Sequence, residues 1–234
     1  WLSSSRDIYD TGEWDKTMPN AGGRPDIGPY PTWSVRWLYT GDERMKEEAF
    51  GNADLAAAWP AHFREGNPAK NLTRNGLYSG LGKIISISGR PTIYLSDLQF
   101  SYTTPQDRIT PAGTMTNGGW IIDIAHQPDP FSLQYALSGD FWYLEELYFW
   151  ASWGAARGNP GITEFYGRGP TGREGGIQGE LRGQAWVLRN RVHAAFLAPD
   201  TTGEKSYFTT LIDDAIAKWE GQRNITTTPF YNNA

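Results

Sequence analysis

The sequence predicts a mainly α-helical protein of stacked helical hairpins, because one pattern occurs twice along the chain. Residues 26–31 and 123–128 both contain Asp and Pro, and each leads through an aromatic-rich stretch to a Gly-Asp pair, at 41–42 and 139–140. A third, weaker copy covers 182–219. Since a single hairpin cannot bury its apolar face alone, we expect the copies to stack in an array or a closed ring.

The Gly-Asp pairs locate the turn between the two helices of each copy. Glycine readily ends a helix, and an Asp side chain accepts hydrogen bonds from the free N–H groups of the next first turn. In the first copy we expect helices at 32–39 and 42–59, with Pro60 ending the second. Apolar residues of that second helix recur at helical spacing, namely Met45, Ala49, Ala53, Ala56 and Ala57.

The same reasoning gives two further helix pairs. Helices are predicted at 130–137 and 141–157 in the second copy, and at 184–197 and 207–219 in the third. Apolar residues mark one side of the helix at 141–157, namely Leu144, Leu147, Tyr148 and Ala151. The predicted helices therefore form three consecutive pairs.

Two segments interrupt the helical pattern. The insertion at 66–119 is irregular or β-containing, with β-like runs at 83–88 and 92–95 around a turn at 89–91. Such an insertion either builds a binding wall or is a surface excursion. The glycine-rich stretch at 158–183 lacks the strand and helix of a phosphate loop, so it either covers a cleft or only connects two helices.

Composition excludes several classes of function. The net charge is −5 with an isoelectric point of about 5.3, so there is no basic footprint for nucleic acid. No apolar run approaches the roughly 20 residues of a membrane helix, and we expect no membrane partner. The chain has no cysteine, which excludes disulfides, thiolate metal sites and cysteine nucleophiles.

The start of the sequence and two sequons favour a longer chain and a location outside the cytoplasm. We expect residues 1–234 to be a single domain of a longer chain, since the sequence starts at Trp1 without Met. The triplets at 71–73 and 224–226 are N-glycosylation sequons, which are typical of an extracytoplasmic or secreted protein.

Aromatic residues are abundant, at 14% of the chain. Flat rings can stack on sugars while their polar tips bind hydroxyls, or they can simply fill the space between helices. We expect Trp37, Trp150 and Trp186 to pack inside the hairpins. Tyr30 and Trp33, near the start of an inner helix, fit either role.

Several short motifs carry a resemblance to a known class of proteins. They are RPDIG at 24–28, WPAHFRE at 59–65, DIAHQP at 123–128, YLEE at 143–146 and RGQAW at 182–186. Over 26–65 and 123–219 the chain resembles the (α/α) toroid, or six-hairpin, carbohydrate-active proteins, both polysaccharide lyases and glycoside hydrolases. The resemblance implies part or all of such a ring, a long-chain glycan as substrate, and a cleft at the mouth of the ring.

The loops that lead into the inner helices hold the candidate catalytic residues. Hydrolysis of a glycosidic bond needs two carboxyl groups, which Asp26 or Asp123 together with Glu180 could supply. β-Elimination needs a base for the C5 proton of a uronate and a cation beside its carboxylate.

For β-elimination the candidates are His126 and Tyr30, with Arg182 as the cation. We place Trp33, Asp129 and Gln127 in substrate binding. Structural alternatives exist for the charged residues.

Asp26 and Asp123 could merely cap helices, and Arg182 could form an ordinary ion pair with Glu180. His193 lies inside a predicted helix, which favours a structural role, and His62 fits a helix end.

The sequence therefore predicts a glycan-cleaving enzyme, with a lyase slightly favoured over a hydrolase. A non-catalytic glycan-binding or assembly subunit is the alternative. We expect no cofactor and no metal, since no two histidines have zinc-site spacing. A cation held by Asp123, Asp129 and backbone carbonyls is the alternative. The expected partner is a polysaccharide or oligosaccharide, and half a ring would favour self-association.

Overall fold

A computed structural model describes residues 7, 10–18, 23–95, 107–109, 120–158, 168–177 and 179–225. The described part is mainly helical, as predicted. Its six α-helices are α1 (Thr32–Thr40), α2 (Glu43–Ala56), α3 (Ser132–Ser138), α4 (Phe141–Ala156), α5 (Leu181–Leu197) and α6 (Gly203–Ile225). A short 3₁₀ helix, Ile124–His126, precedes α3. None of the described helices is both long and apolar enough to cross a membrane.

Both Gly-Asp turns are confirmed. Gly41 and Gly139 adopt positive φ angles of 64° and 72°, and each backbone N–H donates to a carbonyl of the preceding helix. The Asp42 carboxylate then accepts from the Arg44 N–H at 2.9 Å. Asp140 does the same for the first turn of α4. The two copies therefore share one helix–turn–helix geometry.

Helix α4 lies at the centre of the core. Almost every residue from Tyr143 to Ala156 is buried, on all sides of the helix. The indole of Trp150 stacks on Trp59, with ring centroids 4.7 Å apart, and on Trp153 at 5.4 Å. Trp14 of the N-terminal segment also contacts Trp59, at 4.8 Å. These rings join α4 to the first hairpin.

Polar contacts also connect the first two hairpins. The Gln134 amide donates to the Ala49 carbonyl at 3.2 Å and lies near the Ser34 hydroxyl at 3.4 Å. The Tyr143 hydroxyl donates to Asp54 at 2.8 Å. Burial and this carboxylate raise the pKa of Tyr143, so its phenol stays neutral. These contacts connect α3 to α1 and α2, and α4 to α2.

The insertion contains only one of its two predicted β-like runs as a strand. No strand forms at 83–88: Ile84, Ile85 and Ile87 are buried, but within this run only Ile84 makes a bridge, an isolated one to Arg64. The Ile85 carbonyl accepts from Ser152 of α4 at 2.6 Å. The run at 92–95 does contain a strand, β1 (Ile93–Leu95), which pairs in parallel with β2 (Asp107–Ile109). Residues 96–106 and 110–119 of the predicted insertion lie outside the described residues.

The glycine-rich stretch is bound to β1 through one side chain. The Arg168 guanidinium is buried and donates to the carbonyls of Ile93, Pro91 (2.8 Å) and Gly172 (3.1 Å). Burial lowers the pKa of Arg168 to about 10. Gly172 has a φ of 70°, and a Cβ there would lie 2.4 Å from the Pro91 oxygen. The described part of this stretch therefore packs on the insertion.

Candidate functional site

One face of α5 collects polar and aromatic side chains. Arg182, Trp186, Arg189 and His193 are spaced by four, three and four residues, so they lie above one another on the helix. We call these four residues the α5 face. The loops at 26–31 and 123–129 contact it.

His193 is held by a buried carboxylate. Its Nδ1 lies 2.5 Å from Oδ2 of Asp129, whose side chain is fully buried. Asp129 also accepts from the backbone N–H groups of Phe131 and Ser132, at 3.3 and 3.1 Å, and from the Ser132 hydroxyl.

The charge state of Asp129 sets the tautomer of His193. Burial disfavours the carboxylate, but the His193 hydrogen bond and the charge of Arg189 outweigh it and lower the pKa of Asp129. An ionised carboxylate has no proton to give, so Nδ1 is the donor. Nε2 is then the nitrogen that can accept a proton from another molecule, and the His193 side chain is 26% exposed.

Tyr30 lies against the same imidazole. Its ring is stacked on His193, with centroids 5.9 Å apart and planes inclined by 10°. Burial and the charge of Asp129 raise the pKa of Tyr30, against the opposing effects of Ser132 and Arg189. The phenol is therefore protonated at neutral pH and can donate a proton or a hydrogen bond.

Arg189 joins the two loops to α5. Its guanidinium donates to the carbonyls of Gly28 and Pro29 in one loop, and to the Gln127 carbonyl in the other, at 2.5 Å. It also stacks over the Trp186 ring at 4.7 Å. Burial lowers the pKa of Arg189, although Asp129 and Tyr30 oppose this. One side chain therefore bonds to both loops.

His126 forms a second Asp–His pair. Its Nδ1 lies 2.8 Å from Oδ2 of Asp123, and its Nε2 is buried without a hydrogen-bond partner. The 3₁₀ helix that carries it packs on the start of α5, where a Cβ at Gly183 would lie 3.3 Å from Ala125. Because Nε2 of His126 is enclosed, His193 is the more accessible of the two histidines.

The other predicted residues occupy two different environments. Glu180 and Arg182 form an exposed ion pair, with 2.7 Å between Oε1 and Nη2, at the start of α5. Asp26 is buried and accepts from Arg24 at 3.0 Å, and burial raises the pKa of Asp26 against the effect of Arg24. Asp26 and Asp123 bond to Arg24 and His126, and no side-chain cap is formed by Asp123.

Two of the predicted substrate-binding residues lie in the interior. Trp33 is 3% exposed and packs edge-on against Trp14. Gln127 is fully buried, and its side-chain amide donates to the Trp150 carbonyl at 3.2 Å. The third, Asp129, is the carboxylate that holds His193.

His193 and Arg189 were not predicted from the sequence as site residues. The candidates came from the loops, whereas these two side chains project from the middle of a helix. The signal was the spacing of the α5 face, which places a guanidinium and an imidazole in register with Arg182. Among the described residues, no group of three or more His, Cys, Asp or Glu side chains could hold a metal ion.

Comparison with known proteins identified no relative of this chain. No protein family model, no curated protein and no solved structure matches this chain. The functional conclusion therefore rests on the geometry of Asp129, His193 and Tyr30.

Proposed function

We propose that this protein is a glycan-cleaving enzyme whose acid–base groups are His193 and Tyr30. The observation that carries the proposal is the buried Asp129 carboxylate, which fixes His193 beside a protonated phenol. A carboxylate that orients one imidazole nitrogen makes the other a positioned base. The helical pairs would form part or all of an (α/α) toroid, with this site at its rim.

A lyase reaction fits these groups best. His193 Nε2 would accept the C5 proton of a uronate, and the C5 electron pair would form the C4–C5 double bond as the C4–O bond breaks. Tyr30, which its raised pKa keeps protonated at neutral pH, would give its proton to the leaving oxygen. Arg182 lies on the same face of α5 but eleven residues from His193, about 16 Å along the helix axis, so it would bind the carboxylate of another sugar of the chain.

Hydrolysis is the second reaction that the site could support. It would use Asp26 or Asp123 as one carboxyl group and Glu180 as the other. The raised pKa of Asp26 suits a proton donor, and its source is burial. Its bond to Arg24 counts against this role, because Arg24 favours the ionised form.

A non-catalytic glycan-binding or assembly subunit is the alternative from another class. The observation that favours it is the extent of hydrogen bonding inside the cluster. Arg189 binds three backbone carbonyls, and Asp129 accepts from four donors. Such a cluster could serve only to join two loops to a helix. The sequons remain our reason to propose an extracytoplasmic protein.

The decisive experiment is a turnover assay on acidic and neutral polysaccharides. It records new reducing ends together with the ultraviolet absorbance of unsaturated uronate. Ends with absorbance would establish a lyase, ends alone a hydrolase, and neither signal on the full panel would favour the binding subunit.

Variants then assign the groups. In a lyase, His193→Ala and Tyr30→Phe should each lower kcat by about 10²-fold or more while the protein stays folded. His126→Ala is the matched comparison, because its imidazole has an Asp partner but an enclosed Nε2. Loss of turnover in His126→Ala alone, with His193→Ala active, would contradict the assignment.

A further inference from the structure

A cavity of about 430 Å³ lies between the glycine-rich stretch and α6, and we call it the α6 cavity. Charged side chains from three segments line it: Arg74 of the insertion, Glu174 of the glycine-rich stretch, and Asp214 and Lys218 of α6. None of the four residues of the α5 face lines it. Its volume lies in the range of small-molecule sites.

Arg74 keeps hydrogen-bond donors for a ligand. Its Nη2 donates to both oxygens of Asp214, at 2.9 and 2.8 Å, and the Gly175 N–H donates to Oδ2 of the same carboxylate at 2.8 Å. Asp214 is thus satisfied by the protein, whereas Nε and Nη1 of Arg74 make no hydrogen bond to a described residue. The Arg74 side chain is 32% exposed, so these donors are open to a molecule in the cavity.

Two buried guanidinium groups lie directly behind the α6 cavity. Arg168 precedes Gly169 of the lining, and Arg191 donates to the Gly175 carbonyl, beside Glu174. Both arginines are 1% exposed, and neither forms an ion pair with a carboxylate in the described part of the chain. Arg168 donates to backbone carbonyls, and Nε of Arg191 is buried without a described partner.

The charges around the α6 cavity do not balance. Four cationic and two anionic side chains line it or lie directly behind it, namely Arg74, Arg168, Arg191, Lys218, Glu174 and Asp214. Two positive charges remain in a largely buried region, where a charge is unfavourable unless an opposite charge is near. Burial lowers the pKa of Arg191 to about 10, although Tyr207 and Asp214 oppose this. A bound anion would stabilise these guanidinium groups.

We propose that the α6 cavity is a second binding site, which takes an oxyanion group: the carboxylate of an acidic sugar, or a free inorganic anion such as sulfate. Guanidinium groups bind such oxygens through paired, charge-assisted hydrogen bonds. The Glu174 carboxylate lies over Gly169, where any larger residue would collide with it. Glu174 repels the ligand, so it limits the affinity of the site. The site does not depend on the reaction proposed for His193 and Tyr30.

The test is isothermal titration calorimetry with sodium sulfate, galacturonate and uncharged galactose at constant ionic strength. The two anions should bind and galactose should not. Arg74→Gln and Lys218→Gln should each raise the Kd of the anions about fivefold, whereas Glu174→Gln should lower it by a similar factor. Arg44→Gln is the matched control and should leave the Kd unchanged, because Arg44 is an exposed arginine that also pairs with an aspartate.

The source of the anion follows from the two affinities. Tighter binding of galacturonate assigns the site to an acidic sugar, and tighter binding of sulfate to a free inorganic anion. Turnover of polysaccharides plays no part in either result, so the site and the reaction can fail separately.

Several outcomes would overturn the site. These are no binding of either anion, an unchanged Kd in both Arg74→Gln and Lys218→Gln, weaker binding in Glu174→Gln, and galactose binding as tight as that of galacturonate. Thermal unfolding checks that each variant is folded. If loss of the Asp214 ion pair unfolds Arg74→Gln, the opposite shifts expected for Lys218→Gln and Glu174→Gln still decide.

Discussion

The phenol ring of Tyr30 lies parallel to the imidazole of His193, with centroids 5.9 Å apart. This stack joins the loop before α1 to the middle of α5, two elements far apart in sequence. The imidazole also contacts Asp129 through Nδ1. The pair therefore combines a neutral phenol with an oriented imidazole, and its neighbours determine how it responds to mutation and pH.

Asp129→Asn should destabilise the protein, whereas Asp26→Asn should not. The first variant would lose a buried charge that four donors stabilise, at a cost of about 3 kcal/mol in the free energy of unfolding at pH 7. Burial makes the ionised form of Asp26 unfavourable, so the second variant should leave that free energy equal or slightly higher. Urea unfolding at pH 7 measures both. A larger loss in Asp26→Asn than in Asp129→Asn would contradict this account.

The same two carboxyl groups give opposite pH dependences. The pKa of Asp129 is lowered from 3.8, so its contribution is present above that value and is lost as the pH falls below it. The pKa of Asp26 is raised from 3.8, so its protonated form contributes stability in acid that is lost as the pH rises.

Urea unfolding between pH 2.5 and 7 separates the two effects. Relative to the unmodified protein, Asp129→Asn should reduce the loss of stability below about pH 4. Asp26→Asn should make the stability fall more steeply in acid. If stability depended on pH in both variants as it does in the unmodified protein, then neither carboxyl group would have a folded-state pKa that differs from its unfolded-state pKa.

Arg189→Lys should disturb the site more than the fold. A lysine keeps the charge but cannot reach the carbonyls of both loops in the planar geometry of a guanidinium. If the protein is an enzyme, we expect kcat to fall about 10²-fold through displacement of Tyr30 and Asp129. Tryptophan fluorescence should also change, because Arg189 stacks on Trp186.

Arg182→Lys is the matched comparison for Arg189→Lys. Its guanidinium is exposed and bonded only to Glu180 among the described contacts. It should leave tryptophan fluorescence unchanged. An unchanged spectrum and kcat in Arg189→Lys would show that the loops hold their positions without this side chain.

Glycine substitutions test the predicted turns. Gly139→Ala should cost about 1 kcal/mol, because the left-handed conformation at 139 is strained for Ala although space is open. Gly221→Ala in α6 also meets open space and should gain about 0.5–1 kcal/mol from helix propensity. Thermal unfolding compares the two, and equal effects would contradict the conformational explanation.

Local signals predicted the turns and the helices well. The Gly-Asp pairs fix both the end of one helix and the cap of the next, so the boundaries near residues 40–43 and 138–141 were expected. Helix α5 begins at Leu181 rather than 184, because Gly183 is needed for close packing on Ala125 and does not break the helix. That reason is tertiary and has no local signature.

The candidate site was predicted only in part. Tyr30 and Asp129 were named, and the structure brings them together. Their partner His193 was assigned a structural role, since a histidine inside a helix carries no sign of the loop that will pack on it. Likewise, the isoleucines at 84, 85 and 87 favour a strand locally, but among the described residues this run gains only an isolated bridge from Ile84 to Arg64, and the sequence does not show which segment will lie beside it.

The burial of α4 on all sides has a consequence for how the two related hairpins differ. Counted from the two Gly-Asp pairs, the charged Lys46 and Asp54 of α2 correspond to Leu144 and Ser152 of α4, which are both buried. A chimera with α2 residues in place of α4 would force these charges into the interior, at several kcal/mol each. Despite their common turn, the two copies could not replace one another, because only the second contains a helix that is buried on all sides.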